Sequence, residues 1–226
     1  SILVQSQGIG SAAKGEREVS QYWSGRFARE GMIWGKEPSP SAEWARGIFE
    51  DAGLNSVLVP GAGYGRNTKV FSAAFTTYGI DLSTEALELA AEWDPATIFI
   101  AGSALGPHLD VLVDAVYCYD VLHLFLKEER KRLIAASLAQ LRTGGLLYFT
   151  SFSDEDRNNG CGRQLEPGTY EYKEGKYAHF FSEADLRSHF SGTEILQTGS
   201  FLEKLQSEQG GIHEYILRFI VARKIN

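Results

Sequence analysis

The 226-residue chain has only two cysteines, no run of basic residues and no apolar stretch approaching the length of a membrane span. Each shortage excludes something. Cys118 and Cys161 cannot build the disulfide framework of a small secreted fold, and the amino terminus has neither a basic segment nor an apolar core of signal-peptide length. A reducing, cytoplasmic setting is the expectation. Net charge is −7 and the pI is near 5.3, so contacts to a phosphate backbone, which need clustered Lys and Arg, have no footing. A membrane helix requires about 20 consecutive apolar residues, so a soluble protein without membrane or nucleic-acid partners is expected. With 43% hydrophobic residues at this length, the chain can fill one α/β core and a small extra element, but not two domains.

What the chain does have is concentrated in Val57-Leu58-Val59-Pro60-Gly61-Ala62-Gly63-Tyr64-Gly65-Arg66-Asn67, an apolar run broken by glycines at alternate positions and followed by a helical pattern. This predicts strand, tight turn, helix. Glycine tolerates positive φ and has no Cβ to hold a ligand away, so such a turn can wrap a flat polar cofactor at the carboxyl end of a strand. A dinucleotide fold wants G-x-G-x-x-G over a pyrophosphate; here the third glycine comes one residue early, at Gly65, and Arg66 fills the place that pattern needs. Thr76 to Ile80 form a β-prone run ending in Asp81, eighteen residues beyond Gly63, where a neighbouring parallel strand should finish. A carboxylate there can accept from both ribose hydroxyls. It can also simply cap the same turn.

Elsewhere the pattern alternates. Val19, Tyr22, Trp23 and Phe27 fall at helical spacing over residues 16–29, and Pro38-Ser39-Pro40 break the chain before a second helix through Phe49. Ser83 is a candidate N-cap for a helix through Trp93. Strands come next at 97–101 and 114–119, then a helix at 127–141 closed by Gly144-Gly145, and a strand at 146–152. Residues 1–15 lack periodicity and are expected to be mobile. Residues 153–181 read as a lid-like loop. Ser182 with Asp185 opens a further helix, and two strand-like runs, 193–205 and 213–224, meet at Gly210-Gly211 and should pair antiparallel. The order predicts one doubly wound, mostly parallel α/β sheet of seven strands with an antiparallel carboxyl-terminal strand, spanning 16–226, with residues 16–52 as a helical cover.

The strand beginning at Asp114 delivers Tyr119 and Asp120 to the carboxyl edge, where ligands of such folds sit, with His123 near the mouth. His123 has an ordinary pKa near 6.5 and could take a proton from an acceptor, or serve as a packing residue beside Leu122 and Leu124. Asp120 and His179 are the other candidate bases.

The G-x-G-x-G run resembles the first motif of class I S-adenosylmethionine-dependent methyltransferases, whose cofactor has no phosphate to cradle, and the 114–125 segment resembles their fourth motif. Tyr22-Trp23, Arg26-Phe27, Trp34-Gly35, the Gly65-Arg66-Asn67 ending and the tail from Phe180 to Lys224 narrow the resemblance to the tellurite-resistance and thiopurine methyltransferase group. The resemblance implies an EC 2.1.1 enzyme with a Rossmann-like fold that binds S-adenosyl-L-methionine through Gly61, Gly63, Gly65, Arg66, Asp81, Leu82, Ser103, Ala104, Tyr119 and Trp34, with no metal. Trp34 offers an electron-rich face to a sulfonium, an attraction worth roughly 0.5 to 2 kcal/mol. The third strand departs from the family: where an acid should accept from the adenine amino group, the chain reads Ala101-Gly102-Ser103-Ala104. A serine is a weaker acceptor than a carboxylate.

The acceptor is expected to be small and partly apolar, held by Tyr170, Tyr172, Tyr177 and Phe180. It could be a thiol, selenium or tellurium compound, which ionises readily, or an oxygen or nitrogen atom that needs His123, Asp120 or His179 as base. Cys161, between two glycines, could bind a soft metalloid or be incidental. A nicotinamide-dependent reductase and a non-catalytic cofactor-binding protein of the same fold remain as rivals. Monomer and homodimer are both open.

Overall fold

Alternate residues of the central strands enter opposite cores, so those strands carry no polar face. A computed structural model describes residues 2–4, 16, 22, 23, 25, 26, 31–106, 109–207 and 210–226. In chain order the elements are β1 (Ile2–Val4), α1 (Pro40–Asp51), β2 (Ser56–Pro60), α2 (Thr68–Ser72), β3 (Thr76–Asp81), α3 (Thr84–Trp93), β4 (Ile98–Ala101), β5 (Val113–Tyr119), α4 (Lys127–Gln140) and β6 (Leu141–Phe152). After them come β7 (Arg163–Glu166), β8 (Thr169–Lys173), β9 (Lys176–His179), α5 (Glu183–His189), β10 (Glu194–Gln206) and β11 (Ile212–Arg223). Leu58, Val116 and Cys118 pack on one side of the sheet; Val57, Val59, Ala115 and Tyr117 pack on the other with Phe49 and Phe71. Burial on both faces is the rule for parallel strands.

The main sheet runs β1-β4-β3-β2-β5-β6-β11-β10. The strands from β1 through β6 pair parallel, and β11 pairs antiparallel with both β6 and β10. The seven expected strands are present with the antiparallel closure. One more is added: Ile2–Val4 lies parallel against β4 at the edge, so these three residues are placed strand rather than loose chain. The rest of 1–15, like Val19 and Phe27, lies outside the described residues.

Local signals explain most boundaries. Ser39 caps α1 through Ser41 N–H with Pro40 at the first position, and Ser83 caps α3 through Ala86 N–H. Ser182 likewise accepts from Asp185 N–H at the start of α5. Two expectations are corrected. Gly144-Gly145 do not cap α4, because the helix passes straight into β6 through an extended Leu141. The 153–181 stretch is not a structureless loop: β7, β8 and β9 form a separate antiparallel sheet. Tyr170 and Tyr172 from this small sheet, with Phe180 just after it, pack around Phe152, so aromatic burial rather than strand alternation holds it.

Asp94, just after α3, is buried and accepts from the hydroxyls of Thr68, Ser72 and Thr97. It ties the ends of three elements around one carboxylate. Asp94→Ala is expected to cost about 2–4 kcal/mol in urea unfolding, because buried donors are left without their acceptor. A loss below about 1 kcal/mol would remove the carboxylate from this role. Among the described residues, no helix is long and apolar enough to cross a membrane.

Candidate active site

A single crevice opens at the carboxyl edge of β2, β3, β4 and β5, with Val59, Asp81 and Tyr119 on its wall. All three glycines of the motif have positive φ, at 65°, 57° and 81° for Gly61, Gly63 and Gly65. The alternate spacing therefore answers a backbone need. Gly61 and Gly63 line the crevice; Gly65 does not. A Cβ on Gly65 would lie 3.3 Å from that of Ala90, so this glycine serves close packing of the turn on α3.

Asp81 lines the crevice beside Leu82. One of its oxygens accepts from Gly63 N–H at 2.9 Å and the other from Ser83 N–H at 2.9 Å. It is thus the turn cap, and each oxygen keeps a second lone pair. Burial pushes its carboxyl up from the usual value, partly offset by those two donors.

The residues between and after the glycines hold the amino-terminal cover. Tyr64 Oη donates to Gly35 O and accepts from Trp34 N–H, Arg66 donates to Glu37 O, and Asn67 accepts from Ser39 N–H. Arg66 and Trp34 both line the crevice, so the clamp also shapes its wall.

Ser103 is corrected. It does not line the crevice; its hydroxyl donates to the carboxylate of Glu16, which also accepts from Ala104 N–H at 2.9 Å. Glu16 and Ala104 do line it. A carboxylate from the amino-terminal segment thus lies at the end of the third expected strand, which has none of its own. Burial raises the Glu16 carboxyl above its ordinary value.

At the end of β5, Asp120 is the one non-glycine with positive φ among the described residues, at 53°. Its N–H and side chain both bond Thr150. Burial and the charge of Glu203 push its carboxyl up to about 7. Glu203, on β10, is buried, takes the Tyr119 hydroxyl on one oxygen, and leaves the other without a partner. Glu203 lies in the carboxyl-terminal tail on which the sequence resemblance drew, but nothing in its neighbourhood in the chain assigns it a role in the site.

His123 lines the crevice, but as a base it is corrected. Its Nδ1 accepts from Phe152 N–H at 3.0 Å, which leaves the proton of the neutral ring on Nε2. The ring stacks on Phe152 at 3.9 Å, and burial, followed by the Lys176 charge, lowers its pKa to about 3. It is a hydrogen-bond donor here. His179 does not line the crevice; its ring nitrogens meet Thr169 and Asp185. Of the four expected lid aromatics, only Tyr172 reaches the wall, joined by Phe152 and Tyr215. Cys161 is exposed, away from the crevice.

Residues 58–149, the segment that holds the glycine turn, Asp81 and Asp120, match the family model described as a methyltransferase domain. Among solved structures, a methyltransferase from Anabaena variabilis described as SAM-dependent is 18% identical over 97% of this chain and 99% of its own, with a TM-score of 0.65. Magnesium protoporphyrin IX methyltransferase from Synechocystis, with bound SAH, is 19% identical over 93% of this chain and all of its own, with a TM-score of 0.66. TehB from Haemophilus influenzae is 15% identical over 79% of this chain and 60% of its own, with a TM-score of 0.60. These likenesses establish the fold. No curated protein sequence matches the chain.

Proposed function

We propose that the chain is an S-adenosylmethionine-dependent methyltransferase acting on a small-molecule acceptor. The observation that carries this reading is that the positive-φ glycines Gly61 and Gly63, with Asp81, Glu16 and Asp120, share one crevice at the switch point of the sheet. The residues fit the cofactor. Gly61 and Gly63 offer backbone without side chains, Asp81 offers free lone pairs to sugar hydroxyls, and Glu16 offers a carboxylate to an adenine amino group. Arg66 stays engaged with Glu37 and Tyr119 and supplies no phosphate site, which disfavours a nicotinamide dinucleotide. Bound there, S-adenosylmethionine supplies a methyl carbon already activated by its sulfonium.

The chain's own residues then align the acceptor, exclude water and take a proton; alignment alone can supply on the order of 7 to 11 kcal/mol. Asp120, with a pKa near 7 and a place on the wall, is the base. His123 Nε2–H donates to the acceptor and fixes its orientation. Such a pair suits an acceptor that gives up a proton on methylation. The tellurite-resistance reading rests on the glycine-arginine-asparagine ending and the tail, together with the TehB likeness. It would use the same crevice with little call on Asp120.

Titration calorimetry with S-adenosylhomocysteine and with NADH tests the donor. The first is expected to bind and the second not. Asp81→Ala is expected to weaken the first by about 1–3 kcal/mol, the cost of lost buried hydrogen bonds. Unchanged affinity in that variant would take Asp81 out of the site. Turnover against thiols, selenite, tellurite, thiopurines and amines separates the enzyme from a non-catalytic relative of the same fold.

A further inference from the structure

Although the chain is net acidic at −7, the crevice carries a lysine on its wall. Lys176, at the start of β9, lines it half-buried, with its Nζ 5.7 Å from the ring centres of both Trp23 and Tyr172. Among the described residues it meets no carboxylate. Arg26 lies over Trp34 at 4.9 Å and over Trp23 at 5.4 Å. Lys173 and Arg157 add to the same field: after burial itself, Lys173, Arg26, Lys176 and Arg157 are what lower the pKa of His213, which packs edge-on against Trp34. Of these four cations Lys176 lines the crevice, and the other three lie near enough to act on the same imidazole.

The walls there are flat. Phe152 stacks on His123 on one side and on Tyr215 at 5.2 Å, with planes 22° apart, on the other. Tyr172 stands edge-on to Phe152 at 6.3 Å. Asp120 lines the same crevice. A ligand in the crevice therefore meets both the Asp120 carboxyl and the Lys176 ammonium.

From this pairing of a cation with aromatic walls we infer that the acceptor is a flat, aromatic molecule carrying an anionic group, such as a carboxylate, which Lys176 receives while the ring lies against Tyr172 and Tyr215. The inference deepens the methyltransferase reading and rests on it. An ammonium that has no carboxylate among the described residues, held in a half-buried site beside other cations, is costly until an anion arrives. Burial and the nearby Lys173 and Arg26 charges already lower its pKa to about 8, a cost that a bound anion relieves. Aromatic faces supply area and a flat fit at little loss of freedom.

Calorimetry on matched probes tests this, using naphthoate against naphthamide and indole carboxylate against indole carboxamide, with and without saturating S-adenosylhomocysteine. Each anion is expected to bind about tenfold or more tightly than its neutral amide, the scale of one charge-assisted hydrogen bond. Lys176→Met should erase that preference, while Lys176→Arg should keep it. Both variants should bind S-adenosylhomocysteine as the parent does, which also verifies that they are folded. Equal affinity within the pairs, no binding of any probe at about millimolar concentration, or a preference that survives Lys176→Met would overturn the inference. Should S-adenosylhomocysteine fail to bind, the methyltransferase reading falls instead, and the anion preference is still read on the protein alone.

Discussion

Replacing Asp120 with Asn is expected to cut turnover about 10²- to 10⁴-fold, the range for a general base, and to raise the melting temperature at pH 8. The two effects have one origin. Burial and the neighbouring Glu203 charge make the neutral carboxyl the favoured form in the fold, with a pKa near 7 against an ordinary value of 3.8. A raised folded pKa means that the stabilising contribution is complete below about pH 4 and is lost as pH rises through about 7. Above that, the native protein carries an ionised carboxylate in a buried place beside Glu203. Asn has the same shape, tolerates positive φ as well as Asp does, and can keep the hydrogen bond from the Thr150 hydroxyl. It cannot ionise. Thermal melts from pH 4 to 8 should therefore show a smaller decline for the Asn variant than for the parent, and parental kcat/KM should climb as pH passes 7. A variant with parental turnover, or one less stable than the parent at pH 8, defeats the assignment.

Gly61→Ala is expected to destabilise the protein by about 2–5 kcal/mol, combining a left-handed backbone penalty of roughly 1–2 kcal/mol with overpacking of roughly 1–3 kcal/mol. Gly61 has φ of 65°, and a Cβ built there lies 2.4 Å from Val121 Cγ2. Val121 is itself buried, directly after Asp120, so it cannot withdraw without disturbing the end of β5. The double variant Gly61→Ala/Val121→Ala separates the two terms. It removes the clash and leaves the backbone strain, so Gly61→Ala in the Val121→Ala background should cost about 1–2 kcal/mol in urea unfolding. A single variant as stable as the parent would show that the turn does not require glycine at this position.

The elements carrying the cofactor end were legible because their signals are local. Gly61, Gly63 and Gly65 report positive φ directly in the spacing, Asp81 lies one crossover length further on, and Ser83 caps the helix that starts beside it. Residues recruited from far along the chain were not legible. Glu16 reaches Ser103 across 87 residues, and Glu203 reaches Tyr119 across 84. No periodicity marks either contact. His123 shows a subtler limit: its place at the mouth is set by strand order, but which nitrogen holds the proton depends on the Phe152 N–H, 29 residues away. The sheet β7-β8-β9 escaped notice because its strands are four or five residues long and bury one aromatic cluster instead of alternating.

The order in which the chain supplies the crevice has a consequence of its own. Gly61, Gly63, Asp81 and Asp120 all come from the segment spanning 58–149, whereas Phe152, Tyr172, Lys176 and Tyr215 come from the carboxyl-terminal portion beyond it. Within the main sheet, the two lengths of chain meet along the seam where β6 pairs with β11. Substitutions or insertions beyond that seam that spare Glu203 can accumulate without disturbing the glycine turn and Asp81 upstream, so descendants of one such scaffold are free to change their clientele while that end of the crevice stays put.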